Sequence, residues 1–288
     1  MGAGSIGVYL GTLLFSRGHK VVLVGRKKLE NLHETILIGE TPFKLPPRTC
    51  VMPKNETFEF IFITSKLYDL QKNLQLILKN NIKTKYLISI QNGIVEEELY
   101  TPYVNNLKFS SISVFEGFRL IENKLVVSYT KAGWKTDNSE VGKIVSKLLL
   151  DSNINCTTES NLDSIKAEKT IMNCSVNLLS AIEKKTFLEL CSEKKILIKM
   201  DALFEESYAI LSRLYRIKEK NKLRTEFYEL VSQMKHYSST YQDAISNRKS
   251  EAEFLNGLVI RLGKKMRIPA PENERILKVF YKKYPKSK

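Results

Sequence analysis

The sequence has few of the residues that mark several common protein classes. Its 288 residues include four cysteines, three histidines and one tryptophan. The cysteines have neither a metal-ligand spacing nor that of a disulfide framework, which predicts a chain without a structural metal in a reducing compartment. No segment reaches the roughly 18 uncharged apolar residues of a membrane helix, and the first residues do not form a secretory signal. We therefore predict a cytoplasmic protein with no membrane partner.

Acidic residues are also few relative to basic ones. Lysine and arginine number 46 against 31 aspartates and glutamates, which gives a net charge of +15. The lysines are scattered singly and in pairs, without a long basic arm or an RNA-binding aromatic signature. This distribution favours a solvated lysine-rich surface, and we do not expect nucleic acid as a partner. The alternative is that the excess of positive charge attracts a phosphorylated or carboxylated small ligand.

The first part of the chain alternates between helix-like and strand-like segments. Helical spacing predicts helices over 5–17, 70–80 and 140–151. Short apolar runs predict strands over 20–26, 58–64, 86–90, 108–117 and 125–130, with a further short segment at 154–160. This alternation indicates a parallel α/β sheet. The pattern changes near residue 158, and from Asp163 on long runs have helical spacing. This change predicts an α/β domain over 1–157 and an all-α domain over 158–288.

A glycine-rich turn opens the predicted first helix. Gly2, Gly4 and Gly7 have the G-x-G-x-x-G spacing of a dinucleotide-binding turn. In such a turn the first glycine allows the tight bend, the second lets the backbone approach a pyrophosphate, and the third lets the helix pack on a strand. The helix N-terminus offers N–H groups to the phosphates. This spacing predicts a Rossmann-type domain whose cofactor-binding residues are Gly2, Ala3, Gly4, Ser5, Ile6 and Gly7.

The segment after the next predicted strand indicates which dinucleotide binds. An acidic residue there would hydrogen-bond the ribose of NAD, but this sequence has Gly25 followed by Arg26 and two lysines. A guanidinium forms charge-assisted bonds to a 2′-phosphate. Arg26 therefore predicts NADP(H) as the cofactor, with an unrelated basic surface loop as the alternative.

The buried strand that normally precedes such a turn is missing, since one methionine precedes Gly2. Burial of about five apolar residues contributes on the order of 8–15 kcal/mol, which is comparable with the roughly 5–15 kcal/mol net stability of a domain. We therefore expect a sequence that begins at an internal methionine or a misassigned start. A truncated, decaying copy is the alternative.

Three polar residues are predicted to share one face of a helix in the second domain. Lys169, Asn173 and Asn177 lie at i, i+4 and i+8, so they form one stripe. Their neighbours are apolar, and buried polar groups need partners. The partner is either a polar ligand at the domain interface or a set of hydrogen bonds between helices, and the spacing leaves both open.

A second polar cluster lies further along the chain. Ser250 and Glu253 have the S-x-x-E spacing of a helix capping box. This box would place Glu251 in the first helical turn, where the helix dipole favours a carboxylate. That placement explains Glu251 structurally and leaves a functional role open.

The order and spacing of these motifs resemble those of the ketopantoate reductases, also called 2-dehydropantoate 2-reductases. The resemblance covers nearly the whole chain. The resemblance rests on GAGSIG (2–7), Arg26, Lys66 in TSKLYD, Asn92 in QNG, the polar stripe, SSTYQD (238–243) and SEAEFLNGLVIRLGKKMRIPAPEN (250–273). It implies a Rossmann-type domain, a helical domain and an active site between them. It also implies reduction of 2-dehydropantoate to (R)-pantoate with NADPH, on the route to pantothenate and coenzyme A.

The resemblance implies a role for each matched residue on the substrate side. Lys169 would be the proton donor, because an ammonium both stabilises the alkoxide formed by hydride transfer and protonates it. Asn92, Asn173 and Asn177 would orient the substrate hydroxyls and carbonyl. The substrate carboxylate would bind Ser239, together with Ser238.

On the cofactor side, the resemblance implies that Lys66 and Asn92 line the nicotinamide. Glu251 would lie near the cofactor ribose and Lys169. One position departs from the family: Phe187 occurs where an asparagine that contacts substrate is usual. We therefore keep another 2-oxo acid, or a non-catalytic cofactor-binding homologue, as alternatives. A homodimer is a further expectation.

Overall fold

A computed structural model describes residues 1–25, 34–49, 51–96, 100–101 and 108–288. The described residues form two compact units, Met1–Leu162 and Asp163–Lys288. Arg26, on which the choice of NADP(H) depends, lies outside the described residues.

The first unit contains three α-helices among runs of β-strands in the part of the chain that the structure describes. In chain order they are α1 (Ser5–Ser16), β1 (Leu23–Val24), β2 (Thr35–Ile38), β3 (Thr41–Lys44), β4 (Arg48–Thr49), β5 (Thr57–Ile63), α2 (Leu70–Lys79), β6 (Lys83–Ser89), β7 (Lys108–Val114), β8 (Gly117–Ile121), β9 (Lys124–Ser128), β10 (Trp134–Asp137), α3 (Glu140–Asp151) and β11 (Cys156–Glu159). A 3₁₀ turn, Leu67–Asp69, precedes α2. The predicted α/β domain is therefore confirmed.

The main sheet of this unit is mixed rather than parallel throughout. Within the described residues it has five strands, in the order β11-β10-β7-β6-β5. Strands β5, β6 and β7 are parallel, whereas β10 runs antiparallel to β7. The connection from β7 to β10 contains the β8–β9 hairpin and no helix. A parallel crossover usually requires a helix, so the reversal follows from this connection.

Two smaller sheets accompany the main one in the part of the unit that the structure describes. Strands β1 and β4 form a parallel pair, and β3, β2, β9 and β8 form a four-stranded sheet in that order. The strand predicted over 20–26 is shorter in the structure, where β1 consists of Leu23–Val24. The 108–117 prediction was wrong in its extent, because β7 ends at Val114 and Gly117 begins β8.

The opening residues lie between two strand ends. The Gly2 N–H donates to the Val24 carbonyl (2.9 Å), and the Thr64 N–H donates to the Met1 carbonyl (2.8 Å). These bonds place the glycine turn, and therefore the start of α1, beside the carboxyl ends of β1 and β5. In open α/β sheets, ligands bind at that edge.

The second unit is built from helices around its own core. Its helices are α4 (Leu162–Glu183), α5 (Phe187–Leu190), α6 (Lys194–Leu211), α7 (Lys220–Val231), α8 (Ser239–Ile245), α9 (Asn256–Met266) and α10 (Pro271–Lys283). Residues 163–288 are all described and contain no strand, so the predicted all-α domain is confirmed. Phe204, Phe227 and Phe280 are fully buried between the helices. None of the helices described in either unit is long and apolar enough to cross a membrane.

Candidate active site

The glycine turn is a tight bend in which two of the three glycines are sterically required. Gly2 has φ +108°, and a Cβ added there would lie 2.4 Å from the Ser65 nitrogen. A Cβ added at Gly7 would lie 2.0 Å from the Gly2 carbonyl oxygen. Both distances are far below a normal contact. The close approach of α1 to the end of β5 therefore requires glycine at these two positions.

Gly4 is different, because nothing lies within 4 Å of a Cβ added there. It is the exposed N-cap residue of α1, with no side-chain cap from the described residues and no acidic residue in the first turn. The first N–H groups of a helix lack partners within the helix and attract anions. The open space at Gly4 therefore gives an anionic group direct access to the start of α1.

Lys66 and Asn92 lie at the same edge of the main sheet. Lys66 follows β5, and Asn92 follows the parallel neighbour β6. Gln91 holds the two loops together: its Nε2 donates to the carbonyls of Ser65 (3.1 Å) and Lys66 (3.2 Å), and its Oε1 accepts from the Ser89 hydroxyl (3.0 Å). Sequence reasoning missed Gln91. The available signal was an amide residue directly after a buried strand, a position from which its side chain can bond to the neighbouring loop.

In the second unit, α4 carries the predicted polar stripe. Lys169 and Asn173 are half-buried, and the Asn177 side chain is 5% exposed. No hydrogen bond joins the side-chain amide of Asn173 or Asn177 to another residue within the described parts of the chain. The polar atoms of these two amides are not fully enclosed by the described residues, so they are open to a partner from outside the chain. The described residues therefore offer these two amides no internal partner, which favours a ligand over hydrogen bonds between helices.

Lys169 is surrounded by groups that shift its proton equilibrium. Burial lowers the pKa of Lys169 from 10.5 to about 8, and repulsion from the Lys166 ammonium acts in the same direction. The Glu251 carboxylate opposes this change by raising the pKa of Lys169. Lys166, one turn earlier on α4, is itself 5% exposed. The result is a lysine that both holds and releases a proton near neutral pH, as a general acid must.

The capping box predicted at Ser250 was wrong. The Ser250 hydroxyl donates to the Ser287 carbonyl (3.0 Å) and accepts from the Ala252 N–H (3.4 Å), not from Glu253. The chain forms a short 3₁₀ turn, Ala252–Phe254, and bends at Leu255 before α9 begins. Glu251 is therefore not in the first turn of an α-helix. It is buried with its carboxylate near Lys169.

The two neighbouring serines have different surroundings. Ser238 is the N-cap of α8: its hydroxyl accepts from the Tyr241 N–H (3.0 Å) and donates to the Asn177 carbonyl (2.9 Å). Ser239, the first residue of α8, is exposed. The bond to Asn177 brings the start of α8 beside the stripe. The Ser238 hydroxyl is engaged in this capping, and Ser239 presents its hydroxyl at the surface.

This difference predicts opposite phenotypes for two alanine variants. Ser238→Ala should lower the free energy of unfolding by about 1 kcal/mol, the usual value of an N-cap. Ser239→Ala should leave stability unchanged and raise the KM for a carboxylate substrate. Urea unfolding and steady-state kinetics of both variants test this prediction. A stability loss confined to Ser239→Ala would contradict it.

The segment after α4 does not present a polar group at position 187. Thr186 and Glu189 form a capping box at the start of α5. Phe187 is 7% exposed, and its ring packs edge-on against His236 at 5.2 Å between centroids. The Phe187 N–H donates to the His236 carbonyl (3.1 Å). An apolar ring therefore lies beside the segment that leads into Ser238 and Ser239.

Two models of one protein family match this chain. The model described as "Ketopantoate reductase PanE/ApbA" matches residues 1–136, and "Ketopantoate reductase PanE/ApbA C terminal" matches residues 161–283. The 2-dehydropantoate 2-reductase of Archaeoglobus fulgidus is 24% identical over 286 residues, which are 96% of this chain and 94% of that protein.

Two solved structures have the same fold. The PanE/ApbA family ketopantoate reductase of Ralstonia eutropha has a TM-score of 0.88 at 20% identity, over 100% of this chain and 98% of its own. D-mandelate dehydrogenase, in a ternary structure with NADH and anilino(oxo)acetate, has a TM-score of 0.85 at 18% identity, over 99% of this chain and 97% of its own.

Proposed function

The chain belongs to the ketopantoate reductase family of oxidoreductases, and we propose that it reduces 2-dehydropantoate to (R)-pantoate with NADPH. The observation that carries this proposal is the stripe on α4, where a lysine of lowered pKa accompanies two amides that lack partners among the described residues. A ketone with an adjacent carboxylate needs such a proton donor and such hydrogen-bonding groups.

The first unit is the proposed cofactor-binding domain, within the predicted bounds 1–157. Gly2 and Gly7 close the turn, and the open space at Gly4 fits a pyrophosphate at the start of α1. Lys66 and Asn92 would line the nicotinamide, since both follow strands at the same edge. Arg26 would bind the 2′-phosphate of NADP(H). When bound, the cofactor supplies a hydride to the ketone carbon.

The second unit, within the predicted bounds 158–288, is the proposed substrate domain. The Lys169 ammonium would donate a proton to the ketone oxygen as that carbon receives the hydride, so that the 2-oxo acid becomes a 2-hydroxy acid. The family resemblance gives Asn92, Asn173 and Asn177 the role of orienting the carbonyl and hydroxyl groups. Ser239 would bind the carboxylate, with Ser238 fixing the start of α8. Glu251 would hold Lys169 and contact the cofactor ribose.

Cofactor oxidation tests the proposal directly. Purified protein should oxidise NADPH when 2-dehydropantoate is added, form (R)-pantoate, and use NADPH with a higher kcat/KM than NADH. The absence of turnover with every 2-oxo acid, together with a melting temperature raised by NADPH, would indicate a non-catalytic cofactor-binding homologue instead.

A second candidate is a reductase of a more apolar 2-oxo acid. The observation that favours it is the buried ring of Phe187, which offers no hydrogen bond where the family usually has an asparagine. The structurally similar D-mandelate dehydrogenase was solved with a ligand that carries an aromatic group. A panel of 2-oxo acids with hydroxylated, branched and aromatic side chains would separate the two candidates by kcat/KM.

Two expectations about the protein in the cell stay predictions. We expect a homodimer, which sedimentation velocity of the purified protein would detect. We also expect a cytoplasmic location, which fractionation of cells that express the chain would test.

Asn177 should contribute to binding rather than to stability. Because its amide has no hydrogen-bond partner among the described residues, Asn177→Leu should leave the melting temperature unchanged or raise it. The same variant should raise the KM for the 2-oxo acid about tenfold, the effect of losing about 1.4 kcal/mol of hydrogen bonding. Thermal unfolding and steady-state kinetics measure both quantities. A lower melting temperature with unchanged KM would assign Asn177 to the fold.

Lys166 should set the pH range of activity through Lys169. Activity requires protonated Lys169, so kcat/KM should fall as pH rises through about 8. Lys166→Met removes a repelling charge and should move this decline to higher pH. Glu251→Gln removes the attracting charge and should move it to lower pH. A pH profile that is unchanged in both variants would show that Lys169 is not the titrating group.

A further inference from the structure

A chain of side-chain hydrogen bonds, buried at its α4 end, crosses the second unit and ends on α4. It begins at Glu206 of α6, whose carboxylate accepts from the backbone N–H groups of Glu272 (2.8 Å) and Asn273 (3.0 Å) at the start of α10. The Asn273 side-chain Nδ2 also donates to Glu206 (2.9 Å). The negative charge of Glu206 therefore lies where the α10 dipole stabilises it.

The chain continues from α10 through α9 to α4. Asn256, the first residue of α9, donates from its Nδ2 to the Asn273 Oδ1 (2.9 Å) and to the Cys174 carbonyl (3.0 Å). Asn256 and Asn273 are both fully buried. Four helices are thus connected by Glu206, Asn273 and Asn256, and the last acceptor is a backbone carbonyl of α4.

The position of this last acceptor matters because Cys174 belongs to the turn that carries the stripe. It directly follows Asn173 and precedes Asn177 by three residues. Surface groups of a helix lie about 5–6 Å from its axis, so a rotation of α4 by about 20° would move these amides by about 2 Å. A misplacement of about 1 Å can lower a rate about a hundredfold.

We propose that Asn256 and Asn273, anchored by Glu206, are positioning residues that fix the rotation of α4 and thereby aim Lys169, Asn173 and Asn177 at the substrate. This inference rests on the proposed function, because it assigns the stripe to substrate binding. Asn256 and Asn273 act through the backbone of α4 and touch neither substrate nor cofactor in this account.

Two variants and one matched control test the role. Asn256→Leu removes both bonds of the Asn256 amide and leaves the Asn273 Oδ1 buried without this donor. The double variant Asn256→Leu/Asn273→Leu replaces both partners by apolar groups, which is better tolerated than removal of one partner. The control is Tyr284→Phe, which removes another side-chain bond to an α4 carbonyl, that from the Tyr284 hydroxyl to Ala181 (2.9 Å).

We expect the leucine variants to change kcat and the KM for the 2-oxo acid but not the KM for NADPH. In both leucine variants, kcat should fall about ten- to a hundredfold and the KM for the 2-oxo acid should rise, with an unchanged KM for NADPH. Tyr284→Phe should keep kcat within about twofold of the unmodified protein. Equal kcat losses in the control and the leucine variants, or no loss in either, would overturn the inference.

Hydrogen exchange of the full chain distinguishes failure of this inference from failure of the proposed function. Loss of the bond from Asn256 to the Cys174 carbonyl should accelerate amide exchange in peptides covering 169–177 more than at the end of α4. Tyr284→Phe should instead accelerate exchange more at the end of α4 than over 169–177. Should the unmodified protein reduce no 2-oxo acid, the proposed function fails, and the exchange pattern still decides the inference. Unchanged exchange over 169–177 in the leucine variants overturns it, and selective acceleration supports it.

Discussion

Replacement of Lys169 by alanine is expected to lower kcat for 2-oxo acid reduction by about 10²–10⁴-fold, the usual contribution of a general acid. The reason is that Lys169 is the half-buried ammonium on the α4 stripe, with a pKa lowered to about 8. The Kd for NADPH should stay unchanged, because the proposed phosphate-binding turn belongs to the first unit. Steady-state kinetics and NADPH fluorescence titration measure the two effects.

Lys199→Ala is the control for this experiment. Lys199 of α6 forms an ion pair with Glu183 at the end of α4 (2.8 Å), away from the stripe. Its removal should leave kcat near that of the unmodified protein. Turnover that survives Lys169→Ala at the control level would remove Lys169 from the mechanism.

Replacement of Gly4 by serine is expected to weaken NADPH binding about tenfold to a hundredfold, since steric overpacking costs about 1–3 kcal/mol. The protein itself leaves the space around a Gly4 Cβ open, and serine is a good N-cap residue. The free energy of unfolding should therefore be unchanged or slightly higher. Isothermal titration with NADPH and urea unfolding of the same sample test both statements.

The same substitution at Gly7 is the matched comparison. A Cβ there would meet the Gly2 carbonyl oxygen at 2.0 Å, so Gly7→Ser should lower both the free energy of unfolding and the affinity for NADPH. An unchanged Kd for NADPH in Gly4→Ser would show that no pyrophosphate approaches this backbone.

Elements rich in apolar residues were predictable from the sequence. The helices α1 and α3 and the strands β5 and β6 lie where their apolar residues indicated, because each places apolar side chains in the core. Strand β8 was not distinguishable from β7, since its residues alternate between half-buried and exposed and only two residues separate the two strands. The antiparallel β10 depends on the path of the intervening hairpin, which no local pattern encodes.

The polar contacts of the site were predictable only in part. Helical spacing aligned Lys169, Asn173 and Asn177 on α4, as expected. The capping box at Ser250 failed because the chain bends at Leu255, and Ser250 instead bonds to Ser287, which is distant in sequence. Asn256 went unnoticed for the same reason, since both of its partners come from other helices.

The proposed role of the α4 stripe is to hold the carbonyl of a 2-oxo acid and to protonate it. A crystal structure of the protein with NADP⁺ and an unreactive 2-oxo acid analogue would reveal whether these side chains contact the ligand. We predict the Lys169 Nζ at about 2.6–3.2 Å from the analogue's keto oxygen, with the amides of Asn173 and Asn177 on the same ligand. An analogue bound elsewhere, with all three side chains directed away from the nicotinamide, would exclude this role of the stripe.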